Sequence, residues 1–173
     1  MITVMKGDVT RLDFDVIVTA ANTSLTPVGV VGKEIFEKGG YRLQDACQRL
    51  GGCHTGEAKM TLSYDLPCRA IIHTVGPIYS GTKKDAEYLE ACYWNSMSLA
   101  YEFFKLNKLK RMTLAFTCIS TGAYAYPKDE ACHIAVSTIQ KIYQQYTKSR
   151  NIDVIFVCSE EDDYLLYKEA LKK

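Results

Sequence analysis

Short runs of apolar and β-branched residues alternate along this chain with longer amphipathic stretches. The runs are Ile2–Lys6, stopped by Gly7-Asp8; Val16–Ala20; Ala70-Ile71-Ile72-His73-Thr74-Val75, closed by Gly76-Pro77; residues 112–119; and residues 154–158. Runs of this length, bounded by glycine, proline or polar residues, predict strands buried on both faces. The stretches between them carry a helical spacing. Residues 41–50 place Leu43, Ala46, Cys47 and Leu50 on one face, and Gly51-Gly52 follow as a helix end prefers. Residues 84–105 repeat Tyr88, Cys92, Leu99 and Phe103 at three-to-four spacing, with Asn95 and Leu106 on the same stripe. A further helix follows Pro127, which suits a first turn, with Cys132, Ala135, Ile139, Ile142 and Tyr146 on one face. The last helix opens on Ser159-Glu160-Glu161-Asp162, a capping-box pattern. Strands alternating with helices predict an α/β domain with a largely parallel sheet covered on both faces.

Two of the predicted strands end alike. Val16-Ile17-Val18-Thr19-Ala20-Ala21-Asn22 runs into a loop of turn formers: Thr23, Ser24, Pro27, Gly29 and Gly32. Residues 114–119 run into Ser120-Thr121-Gly122-Ala123-Tyr124-Ala125-Tyr126-Pro127. Ligands of open α/β sheets sit beyond the carboxyl ends of the strands. Two such loops therefore predict one crevice lined from two sides.

A chain of 173 residues fits one domain, residues 1–173, without repeat or linker. Its 21 basic and 20 acidic side chains give a net charge near zero, and no basic block stands out, so broad electrostatic binding to nucleic acid is not indicated. No apolar run reaches the ~20 residues of a membrane span, and the first residues lack a signal-peptide layout. Seven cysteines, an odd number in apolar surroundings, point to reduced thiols and a cytoplasmic location. Without a Cys-x-x-Cys pair, and with only His54, His73 and His133, no metal or cofactor is expected.

Three familiar chemistries are missing: a Gly-x-Gly-x-x-Gly after the first strand, a P-loop, and a Gly-x-Ser-x-Gly elbow. What remains suits a phosphate-bearing ligand. Ser120, Thr121, Gly122 and Ala123 can present backbone N–H groups near a helix start, a natural anion site. Tyr124 and Tyr126 flank them, with rings suited to a ribose or base, and Asn22 is suited to a sugar hydroxyl. His73 falls inside a strand, where a core histidine is expected.

Together these pieces resemble the macrodomain family. Gly7-Asp8-Val9-Thr10 resembles its opening Gly-Asp-Ile-Thr, and Thr19-Ala20-Ala21-Asn22 its Asn-Ala-Ala-Asn. Gly56-Glu57-Ala58, residues 72–77 and residues 120–127 are similar to the MacroD-type branch. The resemblance implies a three-layer α/β/α fold with a central mixed, largely parallel sheet. It implies ADP-ribose or a related nucleotide as ligand, free or attached to protein. Asp8 would accept from the adenine amino group with Val9 beside it, and Asn22 would hold the distal ribose. Gly29, Val30, Val31 and Gly32 would form the first loop. Gly122, Ala123 and Tyr124 would wrap the diphosphate with main-chain N–H groups, Ser120 and Thr121 would belong to the same ligand-binding loop, and Tyr126 would stack near the ribose or adenine.

The first loop departs from the family pattern, where a glycine run precedes Val-Asp-Gly. Aligned without a gap, Gly32 takes the place of the Asp that serves the hydrolase branch; with one deletion, Val31 does. Asn22 and Glu34 are then the weak candidates for catalysis. Pro27, Val28 and Val30 replace glycines, and Ala125 replaces another in the second loop, which predicts narrower backbone freedom in both. A binding module is the expected function. A hydrolase acting on ADP-ribosylated acidic side chains or O-acetyl-ADP-ribose is the alternative, and a degenerate macrodomain with another nucleotide or none is a further one.

Overall fold

A computed structural model describes all 173 residues, Met1–Lys173. Its strands are β1 (Ile2–Lys6), β2 (Val16–Ala20), β3 (Ala58–Leu62), β4 (Ala70–Thr74), β5 (Met112–Phe116) and β6 (Ile152–Cys158). Its helices are α1 (Gly29–Gly39), α2 (Tyr41–Arg49), α3 (Lys83–Leu106), α4 (Lys128–Gln145) and α5 (Glu161–Ala170), with a 3₁₀ turn at Thr147–Asn151. The six strands form one sheet in the order β1-β6-β5-β2-β4-β3. Every pairing is parallel except that of β3 with β4, so the sheet is mixed and largely parallel.

The apolar runs supply two cores because successive side chains leave a strand on opposite faces. Val16, Val18, Ala70, Ile72, Leu114 and Phe116 join a core roofed by α3, α4 and α5. Ile17, Ile71 and Ala115 join a second core closed by Ile35 of α1 and by Leu43 and Cys47 of α2. The result is the three-layer arrangement expected from the sequence. His73 is fully buried on β4, with Thr61 Oγ1 2.9 Å from Nε2 and Cys47 Sγ 3.6 Å away. Burial pushes the imidazole down from 6.5 to about 4, so it is a neutral core residue.

The structure corrects several sequence expectations. The segment expected to remain a loop through Gly32 turns helical at Gly29. Strand β3 is an edge strand of half-exposed residues, too weakly apolar to stand out. On α3 the buried face is Leu89, Cys92, Tyr93, Ser96, Met97, Ala100 and Phe104, whereas Tyr88, Asn95 and Leu106 are exposed. The apolar stripe is thus rotated by about one position, because the tyrosine and leucine at 88 and 106 lie on the solvent side. Strand β5 ends at Phe116 rather than at 119. The capping box at Ser159 does not form: Glu160 is the N-cap, with no side-chain cap, and the Asp162 carboxylate instead accepts from Lys128. The capping box that does form joins Thr82 and Asp85 at the start of α3.

Candidate functional site

The carboxyl ends of β2, β5 and β6 open onto one cleft of about 700 Å³, within the usual range for small-molecule sites. Its walls come from the turn after β1, the segment joining β2 to α1, the segment joining β5 to α4, and the start of α5. Of the residues singled out in the sequence, Asp8, Val9, Gly29, Val30, Val31, Gly32 and Glu34 line it from one side. Ser120, Thr121, Gly122, Ala123 and Tyr124 line it from the other.

Asp8 sits in a tight turn that fixes its carboxylate. Oδ1 accepts from Thr10 N at 2.9 Å and Thr10 Oγ1 at 2.6 Å. Oδ2 lies 3.3 Å from Arg11 Nε and 3.6 Å from Lys38 Nζ. Partial burial opposes ionisation, but the Thr10 hydrogen bonds with the Lys38 and Arg11 charges overcome it and hold the carboxyl below the usual range. A charged acceptor is therefore fixed at this end of the cleft, with Val9, 3% exposed, beneath it.

Asn22 takes a different place. Its Nδ2 donates to Thr26 Oγ1 at 2.8 Å and its Oδ1 accepts from Thr26 N at 2.9 Å, so the amide closes the turn after β2 and does not line the cleft. Beyond it the chain enters α1 through Gly29, whose φ of +68° is the left-handed value expected of glycine. Val28 is extended at φ −145°, and Val30 and Val31 are helical. These valines thus occupy conformations any residue adopts, and the expected restriction does not arise there. It does arise at Ala125, which carries φ +58° in the second loop. The first turn of α1 has no side-chain cap and no acidic residue, so its N–H groups face the cleft as a partial positive charge.

The second loop is held from below. Thr117 N and Oγ1 both donate to Val18 O, at 3.0 and 3.1 Å. Ser120, at φ +65°, donates from Oγ to Pro77 O at 2.9 Å. Gly76 lies against this hydroxyl, and a Cβ there would collide with it. Ala125 N donates to Gly122 O and Tyr126 N to Ser120 O, each at 2.9 Å, so residues 120–126 fold back on themselves. The N–H groups of Thr121, Gly122, Ala123 and Tyr124 donate to no acceptor in the protein. Four consecutive free donors on a cleft wall are groups that a polyanion could accept from. Tyr126 is placed elsewhere than expected: it is 3% exposed, packs against Tyr79 at 5.1 Å between ring centroids, and belongs to the core beneath the loop.

Sequence reasoning passed over the wall supplied by α4 and α5. Lys128 Nζ lies 2.9 Å from Asp162 and 3.1 Å from Asp163, and the Asp162 hydrogen bond leads in raising its pKa. Asp163 is buried, which pushes its carboxyl up despite Lys128. Ser159, Glu160 and Cys118 complete this wall. The neighbouring Cys158 thiol and burial both push the Cys118 thiol up. It is therefore held as the thiol, the less reactive form. The signal for this wall was present: Ser159 and Glu160 follow a strand's carboxyl end just as the two chosen loops do.

Comparisons with known proteins place this geometry. A family described as Macro domain matches residues 18–135. A macro domain-containing protein of Chlorobaculum tepidum is 43% identical over 173 residues, covering 99% of this chain and 95% of its own. ADP-ribose glycohydrolase MACROD2 of Xenopus laevis is 42% identical across 97% of this chain, which spans only 39% of that protein. The crystal structure of a Trypanosoma brucei macrodomain in complex with ADP-ribose superposes with a TM-score of 0.87 at 34% identity, covering 98% of this chain and 68% of that one.

Proposed function

The chain belongs to the macrodomain family, and from that premise we propose that its cleft binds ADP-ribose, free or attached to a protein. The observation that carries the reading is the run of four free N–H donors, Thr121 to Tyr124, set across the cleft from the uncapped first turn of α1. A diphosphate bridging these walls would take donors from both. Asp8 lies where a base would extend from that anchor, and its ionised carboxylate suits an amino donor. The similarity to a macrodomain solved with ADP-ribose supports the same reading.

Hydrolysis of protein-linked ADP-ribose is the second reading. The identity to an ADP-ribose glycohydrolase favours it. Against efficient turnover stands the first turn of α1, where Gly32 or Val31 occupies the position that carries a carboxylate in the hydrolase branch. Binding by loop amides does not need that group, so recognition persists without turnover. Calorimetric titration with ADP-ribose tests the first reading, and a time course on a mono-ADP-ribosylated protein tests the second.

A further inference from the structure

We propose that Glu34 is a specificity residue: with Asp8 it reads the base, the two carboxylates together accepting both hydrogens of the adenine 6-amino group. The inference rests on the ADP-ribose reading of the cleft and deepens it at one end. Glu34 is half-buried and lines the same cleft as Asp8, yet it makes no hydrogen bond or ion pair within the protein. An acceptor-only side chain in that state is free to take a donor from the ligand.

Its direction follows from α1. Val31, Glu34 and Lys38 are spaced three and four apart and share one face of the helix. Lys38, at the inner end of that stripe, reaches Thr10 Oγ1 at 2.6 Å and Asp8 Oδ2 at 3.6 Å. The stripe therefore faces the turn that holds Asp8. Glu34 stands one helical turn nearer the mouth, and helical side chains lean toward the N-terminus, here toward the cleft. The two carboxylates thus flank the base end from α1 and from the β1 turn.

The same geometry argues against Glu34 as the absent catalytic carboxylate. Two residues advance a helix by roughly 200°, so Glu34 projects from a different side than Gly32, which packs over Ala20. A base with a carbonyl oxygen at position 6 would set that oxygen against two anions. Hypoxanthine therefore makes the sharpest comparison.

The test is calorimetric titration of ADP-ribose and its hypoxanthine counterpart, inosine-diphosphate-ribose, into wild type, Glu34→Gln and Glu34→Ala. Wild type should prefer ADP-ribose by about ten-fold or more, the scale of one charge-assisted hydrogen bond. In Glu34→Gln the amide can donate to the carbonyl oxygen, and the preference should shrink by about ten-fold on the same scale. Glu34→Ala should weaken ADP-ribose without that rescue. An unchanged preference in Glu34→Gln, with ADP-ribose still bound, would overturn the assignment and leave the ADP-ribose reading intact. If wild type binds neither nucleotide, both fall together. Because Glu34 makes no hydrogen bond or ion pair in the fold, both variants should match wild type by circular dichroism.

Discussion

Gly32→Asp is the substitution whose outcome the structure constrains most tightly. A Cβ built on Gly32 meets only Ala20 O, at 3.9 Å, an ordinary contact. The glycine has no left-handed φ to preserve, since α1 is helical there. Replacing a helical glycine recovers a few tenths of a kcal/mol of propensity. A carboxylate in a first turn that has none adds about 0.3–1 kcal/mol through the helix dipole. The variant should thus be as stable as the parent or up to about 1 kcal/mol more so, summing those two effects. Its new carboxylate would stand on the cleft wall, where it can orient or deprotonate a water. A positioned acid–base group is typically worth ~10²–10⁴ in rate. Wild type and variant should be compared in a time course on one mono-ADP-ribosylated protein, with enzyme in excess so that the chemical step is observed. The expected result is slow or undetectable release by wild type and a gain of at least about 100-fold in the variant. A folded variant that binds ADP-ribose as wild type does but releases no faster would refute the argument. Turnover by wild type at about 1 s⁻¹ or above would refute it from the other side.

Asp8→Asn keeps an acceptor for Thr10 but removes the charge, and should weaken ADP-ribose by roughly ten- to a hundred-fold in calorimetry. Gly122→Glu should abolish measurable binding while leaving the melting temperature near the parent's, because nothing lies within 4 Å of a Cβ at Gly122 and the added carboxylate opposes the phosphates. Stability should fall as pH drops from 6.5 toward 4: His73 is buried neutral, with its pKa lowered from 6.5 to about 4, so the unfolded chain binds the extra proton across that window. The loss amounts to up to about 3 kcal/mol, and urea midpoints at several pH values should show it in wild type but not in His73→Gln.

The strands that build the sheet's centre were legible in the sequence because burial on both faces leaves no polar alternation to obscure them. Elements with mixed demands were not. Helix α1 carries glycines at both ends and two consecutive valines, so local propensity argues against the helix that packing of Ile35 imposes. Loop chemistry was legible in kind but not in detail. The run from Ser120 to Tyr124 could be chosen for its small residues, whereas the inward turn of Tyr126 depends on Tyr79, 47 positions earlier in the chain. Asn22 shows the same limit, since its choice of Thr26 over a ligand is set by turn closure. Lys128 and Asp163 meet only because α4 and α5 start side by side, a juxtaposition that no local pattern encodes.

The most direct test of the central claim is calorimetric titration of ADP-ribose into the wild-type protein, repeated with Gly122→Glu. Wild type should show saturable one-to-one binding and the variant none, with both proteins folded. Absence of saturable heat from wild type up to about 1 mM ADP-ribose, where binding free energy is only about 4 kcal/mol, or equal binding by the variant, would contradict it.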